Sequence, residues 1–192
     1  MQHFIVGVDE AGRGPLAGPV AVGVVLVPVR YNLKKNFPGL DDSKKLSAKV
    51  REELFGLLKE KAAKDEVRFC VRFSSNEMID RIGITRAVRR AVWSGVRTLA
   101  PEPKNVRVFL DGLLLAPPEY SQETVIHGDS LIPAISLASI AAKVSRDRLM
   151  CRLAKKYPAY GFELHKGYGT KAHYQALKKC GVCEIHRKTF CK

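Results

Sequence analysis

The sequence has no long hydrophobic run. Its longest apolar stretch, Val20 to Val27, is eight residues, far short of the roughly 20 that a membrane-spanning helix needs. A bilayer-crossing role is therefore not expected. Nor does a basic-then-apolar leader stand before the first apolar run at Phe4, so the expected location is the cytoplasm. Acids are scarce beside bases: 19 Asp and Glu face 33 Lys and Arg, a formal net charge of +14. That imbalance suits a partner that is a polyanion, with unpartnered solubility charge as the plainer alternative. The five cysteines are an odd number in a chain without a leader, which argues against a disulfide framework and for reduced thiols. Cys180, Cys183, His186 and Cys191 crowd together near the C-terminus, but the step from Cys183 to His186 is short for a zinc knuckle, so structural zinc is left open and disfavoured. Internal repeats and low-complexity segments are lacking as well, which removes solenoids and disordered linkers from consideration.

What is present suits one domain. At 192 residues and 46 % hydrophobic, the chain can bury a full core without staples, and a single domain spanning 1–192 is expected, as a monomer. The charge is uneven. Residues 150–192 hold ten Lys or Arg and two acids, which is +8 of the +14 in under a quarter of the length.

The most informative stretch lies near the start. Phe4-Ile5-Val6-Gly7-Val8 runs into Asp9-Glu10-Ala11-Gly12-Arg13-Gly14-Pro15, and Val20 to Val27 follows: two strands joined by a glycine-rich corner that carries two acids. Successive strand residues face opposite sides, so bringing Asp9 and Glu10 to one site predicts that the backbone leaves the strand at Glu10, a bend that Ala11-Gly12 permits. Two carboxylates about 4 Å apart repel by roughly 4 kcal/mol at an effective dielectric near 20, and a divalent cation would offset that. A solvated turn is the plainer reading of an isolated Asp-Glu pair. Gly12-Arg13-Gly14-Pro15 and Ala17-Gly18-Pro19 add a place where backbone can approach a phosphodiester, with an arginine beside the acids.

Further along, Tyr31 to Leu40 reads as a polar loop leading to Asp41-Asp42-Ser43-Lys44-Lys45-Leu46. Ser47 can cap a helix whose apolar face is Val50, Leu54, Leu57 and Leu58. Val67 to Phe73 alternates as a half-exposed strand. A short helix from Ser75 stops at Gly83, and Ile84 to Leu99 is amphipathic, with Arg86, Arg89, Arg90 and Arg97 on its solvated side. Val106 to Leu110 rises to Asp111-Gly112, and Thr124 to His127 to Gly128-Asp129, giving a second and a third strand-end acid, as in α/β sheets whose sites gather at strand ends. Ala134 to Lys156 is a long helix with small residues for close approach to a sheet. Asp147 is expected to pair with Arg146 or Arg148 behind the site. Tyr168 stands between glycines in His165-Lys166-Gly167-Tyr168-Gly169-Thr170, where a buried packing role is the plainer alternative. Thr170 caps a last helix to Lys179, and Ile185 to Phe190 reads as an extended basic segment.

The run from Val8 to Val20 resembles the signature of bacterial ribonuclease HII. The Asp42-Ser43-Lys44 block, Gly128-Asp129-Ser130 with Ala141 to Asp147, and the segment around Tyr168 match that family in order along almost the whole chain. The related ribonuclease HIII has a different residue where this chain has Arg13, and an extra N-terminal domain for which the residues before Asp9 leave no room.

The resemblance implies an α/β ribonuclease H-like fold: a five-stranded mixed sheet flanked by helices, with a basic C-terminal helical extension folding over the cleft. It implies that Asp9, Glu10, Asp111 and Asp129 are the catalytic carboxylates and hold two Mg2+ or Mn2+ ions, one activating water and one stabilising the leaving 3′-oxygen. Substrate contacts fall to Gly12, Arg13, Gly14, Ser43, Lys44 and Tyr168, with Tyr168 stacking at the ribose and helping to recognise the 2′-hydroxyl. The implied substrates are RNA–DNA hybrids and DNA duplexes containing single ribonucleotides, cut to leave 5′-phosphate and 3′-hydroxyl ends. Two rivals fare worse. A non-catalytic nucleic-acid binder gains nothing from clustered acids facing phosphate. A nucleotide-binding enzyme needs a helix after its glycine corner, where this chain has a strand and neither dinucleotide nor P-loop spacing.

Overall fold

The structure, a computed structural model, describes residues 3–191. β1 (Phe4–Ala11) and β2 (Val20–Pro28) form the hairpin, in register from Phe4 opposite Pro28 to Ala11 opposite Ala21. Then follow α1 (Leu33–Asn36), α2 (Ala48–Ala63), β3 (Arg68–Ser74), α3 (Asn76–Ile82) and α4 (Ile84–Leu99). After these come β4 (Val106–Asp111), β5 (Ser121–Val125), α5 (Gly128–Leu131), α6 (Pro133–Lys156), α7 (Phe162–His165) and α8 (Lys171–Cys180). The five strands described stand in the order β3-β2-β1-β4-β5. β1, β2 and β3 are antiparallel neighbours, while β4 runs parallel to β1 and β5 parallel to β4. This is the mixed sheet that the alternation of strands and helices predicts.

One face of the sheet carries α4 and the other α6, with α2 packed beside α6. Val6 and Val8 pack with Val88 and Val92 of α4 in one core, and Ile5 packs with Ala134, Leu137 and Ala141 of α6 in the other. The α6 side is unusually close. A Cβ on Gly7 would overlap the Ala134 backbone, and one on Gly23 would overlap the Ala138 carbonyl. Caps fall where the sequence places them: the Ser47 hydroxyl accepts from Val50 N–H, Ser75 from Met78 N–H and Thr170 from His173 N–H.

Four expectations are corrected. β1 does not break at Glu10: alternation holds to Ala11, with Val6, Val8 and Glu10 on the α4 side and Ile5, Gly7 and Asp9 on the α6 side. The predicted loop after Tyr31 contains α1, capped by Asn32, which buries Leu33 and Phe37. β5 stops at Val125, and His127 takes a left-handed conformation that opens α5, so Asp129 sits in a helical turn rather than at a strand end. The last segment, expected to be extended, is docked on the corner. Ala17 bridges His186, Arg187 N–H donates to the Leu16 carbonyl at 2.8 Å, and the Asp80 carboxylate accepts Lys188 N–H at 2.8 Å and Thr189 N–H at 3.0 Å.

Candidate active site

The cleft begins where two strands part. β1 and β4 pair from Phe4 opposite Val106 to Val8 opposite Leu110; beyond that β1 follows β2, and Asp111 pairs with Val125 of β5. Asp9, Glu10 and Asp111 flank the fork and line one cavity of about 540 Å³, together with Gly12, Arg13, Gly14, Ser43, Lys44 and Tyr168. The alternating faces of Asp9 and Glu10 converge here because no neighbouring strand separates them at an open fork.

Burial pushes the Asp9 carboxyl well above the ordinary carboxylate range, and the charges of Glu10 and Asp111 push it further, while the Ser139 hydroxyl opposes them. Glu10 is raised by burial and by Asp111, against Arg13, whose guanidinium lies 3.4 Å from its Oε1. Asp111 Oδ1 accepts Gly128 N–H at 2.8 Å, tying the end of β4 to the start of α5. Asp129 is buried behind the cavity, and its Oδ2 receives the Lys44 ammonium at 2.8 Å. That contact raises the Lys44 pKa and points its side chain into the site. Ser43 is buried, with its Oγ 2.8 Å from that of Ser139, and Arg51 donates to the Ser43 and Leu46 carbonyls at 2.8 and 2.6 Å.

Among the described residues, no three His, Cys, Asp or Glu side chains stand ready as a metal cage. The partners just named explain this: Lys44 occupies Asp129, Arg13 leans on Glu10, and Gly128 N–H takes an oxygen of Asp111. The donor set nonetheless fits a hard divalent cation, because it is made of carboxylate oxygens whose burial and repulsion a cation would relieve.

Facing the acids, the corner from Gly12 to Gly18 is supported by two buried arginines. Arg146 of α6 donates to the Pro19 carbonyl at 2.8 Å and the Ala17 carbonyl at 3.2 Å, and lies under Gly12, whose φ of 89° and lack of a Cβ let the chain pass over it. Arg187 donates to the carbonyls of Gly18 at 2.9 Å, Arg13 at 2.8 Å and Gly12 at 2.6 Å. Burial, then repulsion from Arg146, lowers Arg187 to about 9, still charged at neutral pH. Tyr168 is 42 % exposed and its ring lies 5.7 Å from the Arg146 guanidinium, so the buried packing alternative does not describe it. The sequence pattern singles out neither arginine as a support. For Arg146 a signal exists: it interrupts the i,i+4 row Ala138, Ala142, Met150, Ala154, every member of which is buried.

Asp147 pairs with Lys143 at 3.0 Å, not with Arg146 or Arg148, and lines a neighbouring cavity of about 630 Å³. Arg146 is engaged with backbone, and Arg148 pairs with Glu52. Lys143 lines both cavities and connects Asp147 to the first. Of the C-terminal cysteines, Cys180 is exposed while Cys183 lies against His186.

One buried and two half-buried carboxylates at the fork of a mixed sheet, opposite a glycine-lined corner and cationic side chains, define a phosphodiester-cleaving enzyme of the ribonuclease H class. The family model described as Ribonuclease HII matches residues 6–192. A Ribonuclease HII from Endomicrobium trichonymphae is 46 % identical over 187 residues, covering 97 % of this chain and 84 % of that protein. The ribonuclease in the solved PCNA:RNase HII complex from Archaeoglobus fulgidus superposes with a TM-score of 0.78 at 26 % identity, covering 96 % of this chain and 94 % of that one. Bst-RNase HIII, solved with Mn2+, gives 0.67 at 19 % identity over 93 % and 63 %, which shows a shared fold alone. The chain belongs to the ribonuclease HII family. It is accordingly a ribonuclease H, hydrolysing the RNA strand of RNA–DNA hybrids.

Proposed function

We propose that this enzyme also incises duplex DNA on the 5′ side of a single embedded ribonucleotide, leaving 5′-phosphate and 3′-hydroxyl ends. One ribonucleotide offers a single 2′-hydroxyl, so discrimination needs a direct contact at that sugar. The observation that carries the proposal is the common cavity: Gly12, Arg13, Gly14 and Tyr168 line the same space as Asp9, Glu10 and Asp111.

Peptide geometry supplies the donors. The Gly12 and Arg13 carbonyls point back onto Arg187, and across a trans peptide the next N–H points the opposite way. Arg13 N–H and Gly14 N–H are thus turned away from Arg187 and are available to a hydroxyl oxygen, while Tyr168 stacks on the sugar. Asp9, Glu10, Asp111 and Asp129 would hold Mg2+ or Mn2+, a pair of ions supplying an activated water and charge stabilisation at the leaving oxygen. With Asp129 holding a cation, the Lys44 ammonium that now contacts it would be free to meet a substrate phosphate, and Ser43, bonded to Ser139, would fix that segment against α6. Asp147 steadies Lys143 at the rim. The enzyme works as a cytoplasmic monomer in this reading; among the described residues no helix is long and apolar enough to cross a membrane.

The test is a DNA duplex carrying one ribonucleotide, incubated with and without magnesium. A single metal-dependent nick 5′ to the ribonucleotide is expected, with an all-DNA duplex left intact. Cleavage of the all-DNA duplex, or none beside the ribonucleotide, would sink the proposal.

A further inference from the structure

Tyr168 is held from behind by a row of side chains outside the cleft. His173 in α8 is fully buried, and its Nδ1 lies 2.9 Å from the Tyr168 carbonyl oxygen. A carbonyl only accepts, so Nδ1 carries a hydrogen. The other nitrogen, Nε2, lies 3.0 Å from Nε2 of His186, also buried. At His186, Nδ1 receives Cys183 N–H at 2.8 Å and is therefore bare; the Cys183 thiol lies 3.1 Å away and donates to the same atom. The Cys183 carbonyl, 3.3 Å from that nitrogen, has no hydrogen to accept from it. With Nδ1 bare, the His186 hydrogen sits on Nε2 and points at His173 Nε2, which accepts.

Both rings are thus neutral, each in one tautomer, and the row runs in one direction: Cys183 to His186, His186 to His173, His173 to the Tyr168 carbonyl. His165 braces it, stacked on His173 with centroids 4.5 Å apart. Its Nδ1 accepts Gly167 N–H at 3.2 Å and its Nε2 lies 2.8 Å from the Tyr160 carbonyl. The other groups against the two rings are Phe162 and Tyr160, and Asn76 donates to the His186 carbonyl at 3.3 Å. Burial lowers the pKa of both rings, His186 to about 4. The neutral state therefore holds at neutral pH.

We infer that His173, its tautomer set by His186, is a positioning residue that fixes the Tyr168 peptide and thereby the ring's place over the cleft. This rests on the reading of Tyr168 as the residue that meets the sugar. An added proton at either ring would set N–H against N–H and release the loop.

Nitrogen-15 imidazole spectra of the intact protein at neutral pH read the tautomers. Hydrogen on Nδ1 of His173 and on Nε2 of His186 is expected, and the reverse assignment at either ring overturns the inference. In kinetics on the single-ribonucleotide duplex, His173→Asn keeps an amide N–H near the place of Nδ1 and should stay within about threefold of the parent, while His173→Leu should fall on the order of tenfold. Combined with Tyr168→Ala, His173→Leu should add no further loss, since both act through one ring. A full additional loss there makes His173 a folding residue and overturns the inference alone. Unchanged cleavage by Tyr168→Ala overturns the reading of Tyr168 and the inference with it. If His173→Leu fails to fold, His173→Asn decides: a loss as large as that of Tyr168→Ala, in a folded protein, counts against the inference.

Discussion

The two sides of the cleft are held by opposite means. On the acid side, Asp9 is buried and Glu10 half-buried beside Asp111, and desolvation and repulsion drive the carboxyls of Asp9 and Glu10 toward the protonated form. On the glycine side, two buried arginines are matched to five backbone carbonyls. The acid side stores unfavourable electrostatics that a cation would relieve. The glycine side is complete within the protein itself. Removing a side chain from the first should therefore abolish chemistry and spare the fold, and removing one from the second should injure the fold first.

The largest effect expected is on activity. Asp9→Asn should lower hybrid cleavage by on the order of a thousandfold or more, about 4 kcal/mol of transition-state stabilisation. Its melting temperature in metal-free buffer should be equal or higher. The pH dependence sharpens this. With folded values raised, Asp9 and Glu10 bind more protons in the native state between the ordinary carboxylate range and their raised values, so wild-type stability falls as pH rises through that window. The gain from Asp9→Asn should vanish in acid and grow toward neutral pH. A clearly lower melting temperature at neutral pH would break the comparison.

Next comes stability. Arg187→Met leaves three carbonyls without their donor and should destabilise by on the order of 3 kcal/mol in chemical unfolding. A neutral result would mean that the corner supports itself. The smallest effect concerns exposed charge. Arg187 is fully buried, whereas Lys178 and Lys179 are exposed on α8. Replacing both by Ala should flatten the salt dependence of hybrid binding, by up to about 0.9 in slope for each phosphate that is no longer neutralised. An unchanged slope would assign them to solubility.

The legible and the illegible divide along the same line. Strands, helices and the caps of α2, α3 and α8 are local matters, written in apolar period and in Ser or Thr at helix starts, and α4 runs from Ile84 to Leu99 as its pattern predicts. Asp9, Glu10 and Asp111 can be placed because a strand end followed by glycine is a local signal too. Asp129 is recognisable as an acid but falls on a different element from the one expected, because a non-glycine residue in left-handed conformation, His127, carries no sequence mark. Arg187 is invisible as a support, and Arg146 shows only as a charge set in a buried helical row. A charge count records that they are cations, and their carbonyl partners are more than a hundred residues away in the chain. The same distance hides the docking of the last segment.

The closeness of α6 to the sheet has a consequence for how this enzyme can vary. Ser139, Lys143 and Arg146 ride on one rigid rod whose height is set by the bare Cα atoms of Gly7 and Gly23. A methyl group at either position would lift that rod, tilting the floor beneath Asp9 and the support under Gly12 in one movement. The spacing between acids and corner is thus gauged by two hydrogen atoms in the hydrophobic interior. A substitution that adds no charge, at Gly7 or at Gly23 opposite Asp9, would register as a change in which phosphodiester fits.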